Sequence, residues 1–507
     1  MPAPHARRRV TPESTPHHRR LDAQFVGGLA WTAGAKWVTQ AVTWLSMLIA
    51  LRLLSPSDFG MVEMASVVGM LTNVLAEFGI GSAVLQIREL DRRALRQLNT
   101  VSLIFSTAAF AFGAAIAPLV AAFFRAEQLR LLVIVNSLGF FITAVQAVPM
   151  GLLQRDMDYR RLSLAEAVQA LVQAVVLVAT AFAGFGYWAL LAAPMAGKAA
   201  SAALAAFWKP VFYALPRPRE IMAPMRFGLE VAMSRVAWTA YSLSDSVIVG
   251  RVLGQSALGT YRIAIDLASV PAEKIGMLIM RVTGPLFAHV QKDIALVRRY
   301  FLFISDALAL AIFPLVVGLA AVAPEAVAFL GGPKWAAAAL PLRWLAIFMT
   351  LRTLNTLMTQ VLTSLRFTTF LMWMSILTFT VMPVSFFIAA HWGIGAVAAA
   401  WVIMSPITMF PAAVRLFRSI HCGFREYVAL LTPAAVGTAA MLCAVIFMKR
   451  ILPAPWPAGW RVALEVALGG AAYAGTLLSF YRPLVMRYVR FVHGLRKNRD
   501  AWAAAAI

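Results

Sequence analysis

The chain has 507 residues, 61% of them hydrophobic and only 13% charged, with 45 Lys and Arg against 22 Asp and Glu and a formal net charge of +23. Soluble domains carry roughly 25% charged and about 45–50% apolar residues, so this composition excludes a soluble enzyme or binding module and indicates a polytopic membrane protein. A nucleic-acid-binding domain gathers its cations on one soluble stripe; here they sit in short loops between apolar runs, so the charge reads as membrane topology and attraction to anionic lipid, and no nucleic-acid partner is expected.

Residues 1–24 are polar and basic, with Arg7, Arg8, Arg9, Arg19 and Arg20, and lack the short apolar core of a cleavable signal. They read as a cytoplasmic tail. From there about fourteen apolar segments meet the roughly 20-residue requirement for spanning a bilayer. They fall near 25–51, 59–86, 97–124, 129–153, 163–183, 187–208, 221–250, 257–283, 299–323, 335–365, 368–391, 394–417, 427–448 and 460–480. The last stretch, "YRPLVMRYVRFVHGLRKNRD", mixes Arg with Tyr, Val and Phe and reads as a basic helix on the inner membrane surface. Cys422 and Cys443 are the two cysteines, and no metal-ligand spacing or cofactor motif is present.

With the N-terminus placed inside, the inner loops collect Arg88, Arg92, Arg93, Arg96, Arg155, Arg160, Arg161, Lys209, Arg217, Arg219, Lys292, Arg298, Arg299, Arg366, Arg415, Arg418 and Arg425. The outer loops hold fewer: Arg52, Arg125, Arg130, Arg251, Lys334, Lys449, Arg450 and Arg461. Counting both tails, the bias is about three to one, which supports the segment count and cytoplasmic N- and C-termini. The outer loops are short, and "PEAVAFLGGPKW" is among the longest.

A repeat runs through the pattern. "LRLLSPSDFG" (51–60) lies over "GRVLGQSALG" (250–259), so that Arg52 meets Arg251, Leu54 meets Leu253 and Gly60 meets Gly259, a constant step of 199 residues. The step brackets six segments, which preserves orientation and gives parallel repeats related by an axis along the membrane normal, with a transporter's substrate site at their interface. The expected architecture is all-α and polytopic: a cytoplasmic tail (1–24), an N-lobe (25–215), a C-lobe (216–417), two trailing helices (418–481) and a basic cytoplasmic tail (482–507).

The same step carries Lys36 onto Arg235, each near the middle of the first helix of its lobe. A cation at mid-bilayer costs about 2.5–3.5 kcal/mol and rarely faces lipid. Thr32, Thr39, Gln40 and Thr43 share the side of Lys36; Thr239 and Ser242 accompany Arg235. Two such stripes point to a wet, positively lined cavity between lobes, against the alternative of structural ion pairs. Arg52 and Arg251 either anchor helix ends in the headgroups or add an outer ring of cations. Further stripes hold Glu63, Ser66, Asn73 and Glu77; Arg226, Glu230, Ser234, Tyr241 and Asp245; Arg262, Asp266, Ser269 and Glu273; and Arg352, Asn355, Thr356 and Thr359. Arg226–Glu230 and Arg262–Asp266 have the spacing of ion pairs within one helix. Glu63 and Glu77 have no local partner, and a carboxyl in low dielectric can carry a proton. Glu63, Glu77, Asp245 and Asp266 are therefore candidates for ion coupling. There is no Walker A, no GxSxG and no His/Cys cluster, so ATP hydrolysis is not expected.

"LRLLSPSDFGMVEMASVVGMLTNVLAEFGIGSAVLQ", "LLQRDMDYRRLSLAEAV", "GFGYWAL", "SDSVIVGRVLGQSALGTYRIA" and "LGGPKWAAAALPLRWLAI" resemble, in that order, pieces of the Wzx-type polysaccharide flippases, the polysaccharide transporter branch of the multidrug/oligosaccharidyl-lipid/polysaccharide (MOP) exporters. The resemblance covers roughly 25–417. It implies two six-helix bundles plus two trailing helices. It also implies transfer of a polyprenyl-diphosphate-linked oligosaccharide across the bacterial inner membrane for O-antigen, capsule or exopolysaccharide, beside a polysaccharide polymerase and chain-length proteins. The family has no short catalytic motif to carry over, so the site rests on the stripes. Lys36, Arg235, Arg226 and Arg352, with Arg52 and Arg251, would counter the diphosphate, since unpaired charge cannot enter hydrocarbon; Thr32, Gln40, Thr43, Asn73, Thr239 and Ser242 would meet sugar hydroxyls. Another MOP transporter, handling a peptidoglycan precursor or drugs and cations, is the nearest alternative; a membrane-embedded glycosyltransferase or polymerase is the other.

Overall fold

The computed structural model describes residues 36–77, 92–217, 242–451 and 456–497. Among these, every regular element is helical. In chain order they are α1 (36–53), α2 (Pro56–Glu77), α3 (Arg92–Phe124), α4 (Gln128–Ser137), α5 (Gly139–Arg155), α6 (Tyr159–Phe182), α7 (Tyr187–Trp208), α8 (Ser244–Leu253), α9 (Gln255–Val290), α10 (Ile294–Ala321), α11 (Ala323–Gly331), a 3-10 turn (Pro333–Ala338), α12 (Ala339–Ser364), α13 (Thr368–Ala390), α14 (Ile394–Ser419), α15 (Phe424–Ile451), α16 (Ala458–Phe480) and α17 (Arg482–Lys497).

Among the described residues, ten helical stretches are long and apolar enough to cross a membrane. They coincide with the third to sixth and the ninth to fourteenth predicted segments. The first, second and seventh segments run partly through residues outside the described ones. The eighth is α9, 36 residues long and so about 54 Å at 1.5 Å per residue. Its length suffices, but Arg262, Asp266, Glu273 and Lys274 interrupt its apolar surface.

The chain falls into two compact units. The first comprises Met1–Ala50, Gly69–Ala117 and Val133–Ala237. Within it α6 and α7 pack along each other as a hairpin, and the segment after α7 lies extended against α3. Asn99 donates to the Val211 carbonyl at 3.1 Å, the Ala214 amide donates to Thr100 Oγ1 at 3.0 Å, and the Arg96 guanidinium lies over the Phe212 ring at 5.5 Å. This segment has no regular hydrogen-bonding pattern of its own, so Asn99 and Thr100 supply partners to its backbone.

The second unit comprises Leu51–Val68, Pro118–Leu132 and Trp238–Ile507. Among its described residues an apolar cluster joins α9, α10, α12, α14 and α15 through Phe287, Phe301, Val361, Leu416 and Tyr427, with Phe301 stacked on Tyr427 at 5.6 Å. The trailing helices are tied on by charge as well as by packing. Lys449 in α15 donates to Glu325 of α11 at 2.6 Å and to the Ala321 carbonyl at 2.7 Å. Its ammonium is 3.7 Å from Glu465, whose side chain is fully buried, and Arg461 is 3.7 Å from Glu325. Lys449, in the last turn of α15, and Arg461, near the start of α16, neutralise carboxylates that packing has removed from solvent.

The predicted loop "PEAVAFLGGPKW" is helix α11 followed by the 3-10 turn. It exchanges caps with the end of α1. Lys334 donates to the carbonyls of Arg52 at 2.8 Å and Leu54 at 2.6 Å, and the Trp335 indole donates to that of Leu51 at 2.9 Å. In return Arg52 donates to the Phe329 and Leu330 carbonyls, the latter at 3.0 Å. The last carbonyls of a helix have no partner within it, and here each helix end completes the other. Trp335 is buried and meets Phe59 edge-on at 5.2 Å. Trp335→Ala is expected to cost about 3–5 kcal/mol, seen as a lowered thermal midpoint of the detergent-solubilised protein; Trp335→Phe, which keeps the ring, is expected to recover most of it.

Candidate functional site: a repeat-related crossing and its polar surroundings

The two stretches that announce the repeat are the two sides of one contact. α2 begins just after Ser55, α9 just after Gly254, and their first turns cross. A Cβ placed on Gly60 would lie 1.7 Å from the Gln255 carbonyl oxygen; one placed on Gly259 would lie 1.9 Å from that of Pro56. Adding 199 turns position 60 into 259 and 56 into 255, so the two contacts are the same contact made in both directions. That is the signature of a local two-fold. Real Cβ contacts stay beyond 3.0 Å, so only glycine permits this backbone approach.

Less than one turn further on, Arg262 donates to Glu63 at 2.9 Å. This pair is separated by the repeat step itself, 199 residues, so each residue faces its own equivalent. Only a position beside a two-fold axis can do that. Glu63 is buried, with 9% of its side chain exposed against 30% for Arg262. Arg262 also holds Asp266 on its own helix at 3.1 Å, as the i,i+4 spacing predicts.

Asp245, fully within the core of the second unit, accepts from the Tyr261 hydroxyl at 3.0 Å, the Trp401 indole at 3.2 Å and the Ser246 amide at 2.7 Å. Trp401 also donates to the Tyr261 hydroxyl at 3.1 Å. Buried charge survives only when its lone pairs are met, and α8, α9 and α14 each bring a donor. The first repeat lacks this pair: the positions that the 199-residue step makes equivalent to Asp245 and Tyr261 are Ser46 and Val62.

Along α12, Arg352 stands near the middle and is exposed, and among the described residues its guanidinium reaches Met349 Sδ at 3.7 Å. The exposed or half-exposed residues that continue its face are Asn355, Thr356, Thr359 and Thr363. Their apolar neighbours Leu354, Leu357, Met358, Val361 and Leu362 are all buried. Three of the threonine hydroxyls return to their own helix, Thr356 to Arg352 at 2.8 Å, Thr359 to Asn355 at 2.9 Å and Thr363 to Thr359 at 2.8 Å. Leaving a helix polar outward and apolar inward suits water, not hydrocarbon.

The other predicted residues are distributed as follows. Lys36 and Thr43 are exposed on α1, and Gln40 is half-buried there, beside exposed Trp37, Val38 and Leu45. Arg52 caps α11, as described, and Arg251, half-buried, lies over the Phe123 ring at 5.5 Å. Ser242 is exposed at the start of the described α8 region. Thr32, Arg226, Arg235 and Thr239 lie outside the described residues, as do the side chains of Asn73 and Glu77. The partners of Asp245 were not singled out in the sequence: Tyr261 and Trp401 look like ordinary core aromatics there. The Glu63–Arg262 pair did have a signal, since its separation equals the repeat step.

Helical and multi-pass among the described residues, with a repeat-related crossing of α2 and α9, this is a membrane protein of the MOP-type fold. The polysaccharide biosynthesis protein family matches residues 49–340, more than half of the chain, and the chain belongs to that family. It is 24% identical over 354 residues to the teichuronic acid biosynthesis protein TuaB of Bacillus subtilis, covering 66% of this chain and 70% of the relative. It is also 24% identical over 488 residues to the succinoglycan biosynthesis transport protein ExoT of Rhizobium meliloti, covering 94% and 97%. Among solved structures, the lipid II flippase MurJ in an inward closed conformation aligns with a TM-score of 0.68 at 13% identity, over 90% of this chain and 99% of that one; at that identity the likeness is one of fold.

Proposed function

We propose that this protein moves a polyprenyl-diphosphate-linked oligosaccharide across the bacterial inner membrane, with its termini in the cytoplasm and without chemistry on the sugar. The observation that carries the reading is the polar outward face of α12 around Arg352. A guanidinium at mid-bilayer facing lipid costs about 2.5–3.5 kcal/mol; facing a hydrated path it costs little and offers a diphosphate its counter-charge. Lys36, and Arg226 and Arg235 outside the described residues, are proposed to extend that positive lining, with Gln40, Thr43 and Ser242 meeting sugar hydroxyls. The prenyl chain stays in lipid. The family membership supports a polysaccharide cargo, and a polymerase with chain-length proteins would act on the product.

In this reading the Gly60–Gly259 crossing is the closure on the outer side, and it parts to release the cargo. Glu63 can exchange a proton only when its pair with Arg262 opens, so ion coupling and opening would be one event.

The test is reconstitution in liposomes with a fluorescent polyprenyl-diphosphate oligosaccharide. Wild type is expected to make all of the label reachable by an impermeant reagent, with its sugar chain length unchanged. Arg352→Gln is expected to slow this about tenfold or more, and Arg352→Lys to recover part of it. Lengthening of the sugar would instead favour a polymerase; equal rates in the Gln variant would remove α12 from the route.

A further inference from the structure

α17 begins two residues after α16 ends at Phe480, with Pro483 in its first turn. The helix carries Arg482, Arg487, Arg490, Arg496 and Lys497 and no acidic residue. Its apolar positions, Leu484, Val485, Tyr488, Phe491, Val492 and Leu495, recur at the spacing that gathers them on one side of a helix. Leu484, Val485 and Tyr488 are half-buried, while Arg482, Arg487 and Arg490 are exposed.

What fixes α17 in place is an acid inside a membrane-spanning helix. Asp306 of α10 is 1% exposed in its side chain. Its Oδ2 accepts from Arg487 at 3.1 Å and from the Tyr488 hydroxyl at 2.8 Å. Its Oδ1 has no hydrogen-bond partner among the described residues. The Arg487 guanidinium lies over the rings of Phe303 and Tyr488, at 5.7 and 5.4 Å. A carboxylate there is tolerable only with a cation beside it, so α10 and α17 are matched: the acid of one needs the arginine of the other. Yet Arg487 keeps 43% of its side chain exposed, and a guanidinium has five N–H donors, of which the hydrogen bond to Asp306 takes one.

We infer that α17 is a docked receptor for anionic phospholipid: its apolar side and Asp306 hold it against α10, and Arg482, Arg487 and Arg490 bind the phosphates of acidic headgroups. Position selects this occupant over other polyanions. A helix starting two residues past a membrane span has its cations in the headgroup layer, where acidic lipid is the concentrated anion. Bound phosphate adds to the hold of Asp306, because Arg487 can serve both. α17 is therefore firmly seated only where the adjoining leaflet is acidic.

The experiment uses the full-length protein in nanodiscs of phosphatidylcholine alone or with phosphatidylglycerol, and follows chymotrypsin cleavage within α17 at Tyr488 and Phe491. Cleavage is expected to slow on the order of tenfold with phosphatidylglycerol, and high salt is expected to erase the difference. Arg482→Gln with Arg490→Gln is expected to leave cleavage in phosphatidylcholine unchanged and abolish most of the lipid effect. Asp306→Asn is expected to speed cleavage in phosphatidylcholine while a lipid effect persists. Equal cleavage in both discs, a full lipid effect in the double variant, or equal protection by heparin in neutral discs would each overturn the proposal. None of these readouts involves transport, so they stand or fall apart from the flipping reading.

Discussion

A strain carrying Arg262→Glu is expected to export at least about tenfold less polysaccharide than wild type, and adding Glu63→Arg is expected to return most of the loss. Removing one partner from a buried ion pair costs about 3–5 kcal/mol, because the other charge is left without compensation. Arg262→Glu is harsher, since it sets a new carboxylate against Glu63 and against Asp266, both of which Arg262 now holds. Exchanging the two charges restores the pair across the crossing but leaves position 262 acidic beside Asp266 on the same face of α9. Recovery should therefore be incomplete until Asp266→Asn is added. Complementation of a deletion strain reads export, and thermal denaturation of the purified variants reads the closed form. A pair with no part in the cycle would change the second readout and not the first. Equal export in wild type and Arg262→Glu would remove the crossing from the mechanism.

Gly60→Ala and Gly259→Ala are each expected to disrupt the same crossing, and together to cost little more than either alone. Each new methyl meets a carbonyl oxygen at under 2 Å, so α2 and α9 must separate. The two contacts are related by the two-fold, and one separation relieves both. Independent sites add their effects; sites sharing one backbone shift do not. Gly470→Ala and Gly475→Ala in α16 serve as controls. A Cβ at either meets nothing within 4 Å, and replacing a helical glycine with alanine is worth up to about 1 kcal/mol of stability. Loss of thermal stability in the first pair, gain in the second, and a strongly sub-additive double variant are the pattern expected. Full additivity at 60 and 259 would mean that the helices yield separately.

Much of the fold was legible because a bilayer permits few solutions. Apolar runs long enough to span had to be helices, and ten of them stand where the composition placed them. The site was legible in part. The repeat step predicted which residues are equivalent, and Arg262–Asp266 follows from helical spacing. That Glu63 and Arg262 face each other depends on where the axis runs, which no local pattern encodes, although the step contained the answer. The role of Arg52 was hidden for a different reason. Its partners are backbone carbonyls of α11, and backbone acceptors leave no trace in residue types. The same holds for Lys334 and Trp335. Lys449 and Arg461 appeared as loop cations because Glu325, the carboxylate that both approach, lies more than a hundred residues away in the sequence and stands alone there.

The pair at positions 63 and 262 also bears on ancestry. Were the first half to assemble as a separate homodimer in the same arrangement, two carboxylates would meet on its axis; a homodimer of the second half would bring two guanidiniums together. Either assembly repels itself at its centre. Opposite charges at that point require two copies that differ, so neither half of this chain could stand in for the other at the crossing.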